Sequence, residues 1–259
     1  MKNNKCFVVA CALDRESAPF YKQLRSSAAH EEVLFEHLHQ KASLFSFDNG
    51  YHFLLITSGI GMCNASCAAT SAHYELKARG LEIAAYICAG TIGGLQDRCS
   101  VGDLIVGSEY INWRADATAC GCAPGQIPDM PQSFFADKNL LELSTSCHES
   151  LRQVSELSPY RMHCCLQLSA DSFVTERGVQ EIRRLFTNSS AADMESAAAA
   201  QVCWILKMPF VSIRSVSDLC APEERADEEF HLGADKASLL SSILVFALFE
   251  KLSGIKLGA

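Results

Sequence analysis

Residues 83–94 read Ile-Ala-Ala-Tyr-Ile-Cys-Ala-Gly-Thr-Ile-Gly-Gly, an apolar run followed by a glycine-rich segment. Residues 83–89 lack the polar alternation of a half-exposed strand, and such a run is typical of a strand that is covered on both faces. Similar runs lie at residues 6–12, 52–57, 104–111, 163–168 and 210–216. The sequence therefore predicts a sheet that is buried between two layers.

Helix-like segments separate these strands, at residues 16–26, 62–79, 137–156, 176–186 and 195–207, and a closing helix is predicted from about residue 235 to residue 251. This alternation predicts an α/β fold, a three-layer α/β/α sandwich around a mostly parallel mixed sheet. No repeat or linker divides the 259 residues, so we expect a single domain over residues 1–259. In sheets of this kind, ligands bind beyond the carboxyl ends of the strands.

The composition narrows the class of ligand. A formal net charge of −8 argues against a nucleic-acid partner, which requires a clustered basic surface, and leaves a small molecule as the expected ligand. The apolar run at residues 6–13 is too short for a signal peptide or a membrane span. Residues 239–249 are interpreted as a buried helix, so no membrane partner is expected.

The cysteines indicate a reducing compartment, the cytoplasm. There are thirteen of them, an odd number, and several lie in apolar strand-like runs as small core residues: Cys6, Cys11, Cys88, Cys164 and Cys165. Cys63 with Cys67 and Cys120 with Cys122 form close pairs, but neither has a partner pair or a histidine at zinc-binding spacing. We therefore expect no metal site.

Acids, hydroxyls and small residues follow the predicted strands. Taken singly, each has an ordinary structural explanation. Glu16 and Glu195 at helix starts suit the helix dipole, Asp218 suits an N-cap, and Phe173 suits a core aromatic. Because the carboxyl ends of parallel strands meet at one edge, we expect these side chains to converge there.

Several ordered motifs resemble one family. They are Ser-Gly-Ile-Gly at 58–61, Ala-Gly-Thr-Ile-Gly-Gly at 89–94 with Val-Gly-Asp at 101–103, the run 169–174, Asp-Met-Glu at 193–195 and Arg-Ser-Val-Ser-Asp at 214–218. Residues 6 to about 248 resemble the 5′-methylthioadenosine/S-adenosylhomocysteine nucleosidases and their relatives that hydrolyse futalosine or aminofutalosine. These proteins belong to the purine nucleoside phosphorylase superfamily.

The resemblance implies hydrolysis of the N-glycosidic bond of a 5′-modified adenosine-type nucleoside, with release of adenine or a related purine and no cofactor. With aminofutalosine or futalosine as substrate, the reaction would serve menaquinone biosynthesis. Such a bond breaks through an oxocarbenium-like transition state. By resemblance, Asp218 protonates the purine at N7, Glu195 binds the ribose hydroxyls and Glu16 orients the attacking water.

The resemblance also implies a set of substrate-binding residues. Phe173 would stack on the purine, the Val174 backbone would bind its polar edge, and Met194 would pack beneath the ribose. Thr91 stands where the family usually has serine, near the water or the ribose, and Ser217 would position Asp218. Ile60 and Asp193 complete the set.

Three alternative functions remain open at this point. A phosphorylase would bind phosphate where Glu16 repels it, and Arg15 is the only nearby cation in the first loop. A nucleoside-binding protein that had lost catalysis would be expected to lack one of the three acids, yet all three are present. A structural α/β protein would leave Phe173 and the acids far apart in space.

The sequence departs from the family pattern mainly where the 5′ end of the nucleoside is expected. Cys120 and Cys122 replace aromatic residues that methylthioadenosine-specific members offer across a homodimer interface, and Ala226 also replaces an aromatic residue. Both changes predict a wider pocket for a larger 5′ substituent, as in aminofutalosine, with neutral variation in a mobile loop as the alternative. Asp193 stands where many relatives have glutamate. The resemblance implies a homodimer.

Overall fold

The computed structural model describes residues 4–38, 40–95, 98–152 and 156–257. The strands are β1 (Lys5–Cys11), β2 (His30–His37), β3 (Gln40–Ser46), β4 (His52–Thr57), β5 (Glu82–Gly94), β6 (Leu104–Asn112), β7 (Phe134–Phe135), β8 (Met162–Ser169), β9 (Ser189–Asp193) and β10 (Phe210–Asp218). The helices are α1 (Asp14–Ser27), α2 (Met62–Ala78), α3 (Lys138–Leu151), α4 (Glu176–Leu185), α5 (Ser196–Leu206) and α6 (Glu223–Ser253). The predicted α/β fold is confirmed.

The strands form one mixed sheet that closes on itself at one end. β5 pairs in parallel with β1 and β10, and β1 pairs in parallel with β4, while β3 and β2 add an antiparallel edge. β10 also pairs with β6, and β9 pairs with both β5 and β8. Since β6 pairs with β8, the strands β5, β10, β6, β8 and β9 form a closed ring.

Strand β1 is buried on both faces, as its apolar run predicts. Phe7 and Val9 join a core cluster with residues of α1 and α6, whereas Val8 and Ala10 join a second cluster with residues of α2 and α5. Consecutive side chains of a strand point to opposite faces, so one apolar run supplies both cores. The prediction that the cysteines of β8 are core residues is wrong for Cys164, which is exposed.

Helix α6 begins at Glu223, and the prediction that it starts near residue 235 is wrong. The charged residues 223–231 and Gly233 conceal its helical pattern in the sequence. The helix follows Pro222. Glu223 and Glu224 lie in its first turn, where their negative charges stabilise the positive end of the helix dipole. A Cβ on Gly233 would lie 1.9 Å from the carbonyl oxygen of Ser217. The glycine therefore lets α6 cross the end of β10.

The C-terminal part of α6 is a core helix, as predicted for residues 239–249. Leu240, Leu244, Leu248 and Phe249 are buried against the sheet and its neighbouring helices. The helix is long and apolar enough to meet the length and composition requirements of a membrane span, but 56% of the apolar window is buried inside the protein. Such burial is typical of the central helix of a packed domain.

The sequence reading missed the hairpin β2–β3 and the short strand β9. β2 is a largely exposed edge strand rich in Glu and His, and β9 consists of small residues, so neither has an apolar pattern. The helix predicted over 137–156 ends at Leu151, and residues 153–155 of that prediction lie outside the described residues. β5 continues past residue 89 to Gly94.

Candidate active site

A cleft of about 490 Å³ opens beyond the carboxyl ends of the central strands. All ten residues that the sequence proposed for catalysis or substrate binding line this cleft, although they come from distant parts of the chain. They are Glu16, Ile60, Thr91, Phe173, Val174, Asp193, Met194, Glu195, Ser217 and Asp218. The structure thus brings the proposed site residues together, and their individual roles stay predictions.

The Glu16 carboxylate is held by four hydrogen bonds at the start of α1. Its Oε2 accepts from the backbone N–H groups of Ala12 and Leu13 at 2.9 and 3.0 Å. Its Oε1 accepts from the N–H and the hydroxyl of Thr91 at 2.8 and 2.7 Å. The residue is only 1% exposed, so these donors replace its hydration. Two of them come from β5, which ties Glu16 to the sheet as well as to its own helix.

Glu195 lies between β9 and α5, directly before the first residue of α5, and shares the buried guanidinium of Arg214 with Asp193. Nη2 of Arg214 lies 3.2 Å from Glu195, and Nε of Arg214 lies 2.9 Å from Asp193. The N–H of Gly61 donates to the other Glu195 oxygen at 2.9 Å. Burial raises the pKa of Glu195 to about 7, with Arg214 opposing this effect and the Asp193 carboxylate adding to it. Arg214 therefore forms ion pairs with two acids, Asp193 and Glu195.

Asp193 fixes the position of Arg214 beside Glu195. Its carboxylate accepts hydrogen bonds from the hydroxyls of Ser169 and Ser196 as well as from the Glu195 N–H. These contacts join the ends of β8 and β9 to the first turn of α5. The shorter acid at this position thus has a full set of partners, and it orients Arg214 toward Glu195.

Asp218, the last residue of β10, is buried and only 3% exposed. The Ser217 hydroxyl donates to Oδ2 at 2.7 Å, and the Cys220 N–H donates to Oδ1 at 3.0 Å. Burial raises the pKa of Asp218, and these two hydrogen bonds offset the rise only in part. A carboxyl group with a raised pKa can hold and deliver a proton near neutral pH.

An aromatic pair stands at the opening of the cleft. The Phe173 ring is 47% exposed and lies edge-to-face with Phe230, with centroids 5.9 Å apart and an interplanar angle of 86°. Val174 beside it is buried, and Ile60 on the loop after β4 is 49% exposed. A flat ligand could enter between these apolar groups and reach the acids behind them.

The sequence reading assigned no role to Arg214, Phe230, Cys220 or His231, although all four line the cleft. A signal for Arg214 was available, because it is the single charged residue within β10 before the terminal Asp218, and a buried charge needs a partner. Phe230 and His231 lie in the part of α6 that was not recognised as helix. No comparable signal marked them.

One of the expected departures from the family pattern has a different effect from the one predicted, and a second stays a prediction. Ala226 is 4% exposed and does not line the cleft, so the prediction that its small side chain widens the pocket is wrong. Phe230, one turn further along α6, lines the cleft with an aromatic ring instead. Cys120 and Cys122 do not line the cleft of their own chain, and their effect on a partner's pocket stays a prediction.

The side chains that line the cleft determine whether it can bind a metal ion or an anion. Within the described residues, no group of three or more His, Cys, Asp or Glu side chains is arranged to bind a metal ion. Arg214 is engaged by Asp193, by Glu195 and by the Thr91 carbonyl at 2.9 Å, so it has little capacity left for an anion such as phosphate. The site is that of an enzyme built around buried carboxyl groups.

Fold and site define the class of protein. The model of the phosphorylase superfamily matches residues 7–250, and the chain belongs to that superfamily. Within it, the chain belongs to the family of the 5′-methylthioadenosine/S-adenosylhomocysteine nucleosidases. A member from Desulfotalea psychrophila is 35% identical over 205 residues, which cover 79% of this chain and 82% of the relative.

Solved structures agree with this assignment. The 5′-methylthioadenosine/S-adenosylhomocysteine nucleosidase of Neisseria meningitidis, in complex with methylthio-immucillin-A, is 29% identical with a TM-score of 0.82 and covers 97% of this chain and 100% of its own. Futalosine hydrolase of Helicobacter pylori has a TM-score of 0.81 at 19% identity, over 96% of this chain and 98% of its own, which shows a likeness of fold.

The comparisons confirm the predicted family and the predicted class of enzyme, an N-ribosyl hydrolase. The phosphorylase and the non-catalytic binding protein are not favoured. The convergence of the proposed residues in one cleft also argues against a purely structural protein, which would have left them apart.

Proposed function

We propose that this protein hydrolyses the N-glycosidic bond of 5′-methylthioadenosine and S-adenosylhomocysteine and releases adenine. The observation that carries this proposal is the placement of Asp218, with its raised pKa, in the same cleft as Glu16 and the pair Glu195–Arg214. This reaction needs three groups: an acid that protonates the leaving base, a buried carboxylate that orients the water and a carboxylate that binds the sugar.

Asp218 is the proposed general acid. Its proton passes to N7 of the purine while the glycosidic bond lengthens, so the base leaves as a neutral molecule. Ser217 and the Cys220 N–H, which bond one carboxyl oxygen each, orient the group. Phe173 stacks on the purine ring and the Val174 backbone binds its polar edge.

Glu195 is the proposed ribose-binding group. As Arg214 and the Gly61 N–H fix its two oxygens, the carboxylate is oriented before substrate arrives. Its negative form favours the positive charge that develops on the ribosyl group. Met194 packs beneath the sugar, Ile60 covers it from the loop after β4, and Asp193 holds Arg214 in place.

Glu16 is the proposed water-orienting group. Its four hydrogen bonds leave the carboxylate rigid, and Thr91 contacts it through both backbone and hydroxyl. A water held by this carboxylate attacks the anomeric carbon on the face opposite the departing base and transfers its proton to the Glu16 carboxylate. The same negative charge repels phosphate, which supports hydrolysis over phosphorolysis.

The test is an adenine-release assay in phosphate-free buffer with methylthioadenosine, S-adenosylhomocysteine and aminofutalosine. We expect release from the first two without phosphate, and a fall in kcat of about 10²- to 10⁴-fold in Asp218→Asn, since Asn has no proton to give. Release that requires phosphate, or an Asp218→Asn enzyme equal to wild type, contradicts the mechanism. A strong preference for methylthioadenosine over aminofutalosine contradicts the predicted wide pocket.

Three further features belong to this proposal. We propose a homodimer, which sedimentation of the purified protein tests, and a single domain over residues 1–259, for which one cooperative unfolding transition is expected. A cytosolic location accords with thirteen free cysteines, several of them buried in the core.

A further inference from the structure

Charged side chains gather at the mouth of the cleft, where α1 meets the first turns of α6. Nη1 of Arg15 lies 3.3 Å from Nδ1 of His231, and Nε of Arg15 lies 3.8 Å from the carboxylate of Asp235. Nε2 of His231 lies 3.4 Å from Asp227. Arg15, Asp227 and His231 all line the cleft. None of these residues has a role in the proposed mechanism.

Arg15 differs from the other arginine of the cleft in its freedom to bind. The side chain of Arg214 is 2% exposed and forms ion pairs with two acids, whereas the side chain of Arg15 is 35% exposed. The Arg15 contacts are one hydrogen bond to His231 and one long ion pair to Asp235. A guanidinium carries five N–H donors, so donors remain for an acceptor in the cleft.

The position of Arg15 relative to Glu16 indicates which part of a substrate it faces. Glu16, Glu195 and Asp218 are nearly inaccessible at the base of the cleft. Arg15 precedes Glu16 in the first turn of α1, and its side chain extends to the mouth instead. The bond to be cleaved must lie among the buried acids, so the non-reacting 5′ substituent extends through the open side past Arg15 and α6.

We propose that Arg15 and Asp227 form a subsite for the α-amino acid group of S-adenosylhomocysteine, Arg15 binding the carboxylate and Asp227 the ammonium group. This inference rests on the proposed function and deepens it. The imidazole of His231 stands between the two side chains with one nitrogen toward each, and so holds them apart on the same rim. An uncharged methylthio group uses neither residue.

Opposite charges at the rim suit a zwitterion better than a simple anion. Asp227, on the same rim as Arg15, repels a substituent that carries a carboxylate alone, such as an aromatic acid, while it attracts an ammonium group. Arg15 in turn can bind a carboxylate through two N–H groups at once. It cannot bind an ammonium group in this way, because that group has no hydrogen-bond acceptor. The pair thus selects among 5′ substituents by charge pattern.

The experiment compares Arg15→Gln and Asp227→Asn with wild type on three substrates. These are S-adenosylhomocysteine, methylthioadenosine and 5′-S-(3-aminopropyl)-5′-thioadenosine, which keeps the ammonium group and lacks the carboxylate. We expect Arg15→Gln to lower the ratio of kcat/KM for S-adenosylhomocysteine to that for methylthioadenosine by roughly 5- to 20-fold, through KM. Asp227→Asn should lower the ratios of both amine-bearing substrates, but Arg15→Gln only that of the amino acid.

A matched control is Arg25→Gln, since Arg25 lies on the same helix and pairs with Glu31 outside the cleft. The proposed subsite is contradicted if Arg15→Gln changes kcat/KM for S-adenosylhomocysteine and for methylthioadenosine by the same factor. It is also contradicted if the Arg15 and Arg25 variants give the same ratio of the two values. Failure of the proposed function gives a different result, because wild type itself would then release no adenine from any of the three compounds. Thermal melts establish that all variants are folded.

Discussion

The Glu16 carboxylate shows how one residue of the site is held. An acid in the first turn of a helix ordinarily faces water and the helix dipole. Here the same carboxylate is buried and also accepts two hydrogen bonds from Thr91 of β5. Its position is therefore fixed by a neighbouring strand, through one backbone N–H and one side-chain hydroxyl of Thr91.

Thr91→Val should lower both stability and turnover. Valine keeps the shape of threonine but removes a donor to a buried carboxylate, for which we expect a loss of about 1.5–3 kcal/mol in the free energy of unfolding. A misoriented Glu16 should lower kcat about tenfold. Urea unfolding and steady-state kinetics measure the two effects.

Thr91→Ser is the matched control, because serine keeps the hydroxyl. It should retain the wild-type kcat. If the valine and serine variants have the same kcat, the hydroxyl of residue 91 does not position Glu16.

Asp218 should make the protein less stable as it ionises. Its pKa is raised in the folded state by burial, relative to about 3.9 in an unfolded chain. The stabilising contribution is therefore full below that unfolded value and is lost as the pH rises through the folded pKa. Asp218→Asn cannot ionise, so its Tm minus that of wild type should be larger at pH 8 than at pH 4. Calorimetry checks this sign, and a constant difference would mean that burial does not perturb Asp218.

Among the elements, β5 and α1 approach each other closely at Gly90. This residue has a φ of +135°, and a Cβ there would lie 2.4 Å from the carboxyl group of Glu16. The glycine thus allows the strand to continue past the acid while its next residue, Thr91, bonds to it. A side chain at this position would displace Glu16 or the strand.

Gly90→Ala should lower kcat/KM by about 10²-fold or more, because small displacements of reacting groups have effects of this size. Gly80→Ala is the matched control: Gly80 also has a positive φ, +68°, but its Cβ would meet nothing within 4 Å. That variant should show only the conformational strain, about 1 kcal/mol, with unchanged kcat. Equal losses of activity in both would contradict a specific contact with Glu16.

Across the whole molecule, Asp103 links parts of the closed ring of strands. Its carboxylate accepts from the N–H groups of Ser100 and Arg161 and lies 2.9 Å from Nε2 of His163. Burial opposes ionisation, but the bonds from His163, Arg161 and Ser100 together lower the pKa of Asp103. The Asp of the Val-Gly-Asp motif therefore joins the start of β6 to β8, away from the cleft.

Asp103→Asn should lower the free energy of unfolding by about 2 kcal/mol at pH 7, since it removes a charged acceptor from three donors. A lowered folded pKa means that the contribution is present above the unfolded value of about 3.9 and is lost as the pH falls through the folded pKa. The difference between variant and wild type should therefore shrink between pH 7 and pH 3. Urea unfolding at both pH values measures it, and a difference that grows in acid would refute the assignment.

The sequence by itself determined the central strands of the sheet, their two buried faces and the residues that follow them. Apolar runs such as residues 83–89 leave few other solutions, and parallel strands carry whatever follows them to one edge. For this reason Glu16, Glu195 and Asp218, far apart in the chain, could be placed together before any contact was known. Strands without an apolar pattern, such as β2 and β9, gave no such signal.

Only the tertiary structure decided how the site works. Arg214 bonds to the carbonyl of Thr91, 123 residues away, and to two acids, Asp193 at the end of β9 and Glu195 directly before α5. The raised pKa of Asp218 comes from burial, and the charged rim at Arg15 and His231 exists because α6 starts earlier than its sequence suggests. Local patterns record which side chains a segment buries, but desolvation and ion pairing depend on segments that meet only in the folded chain.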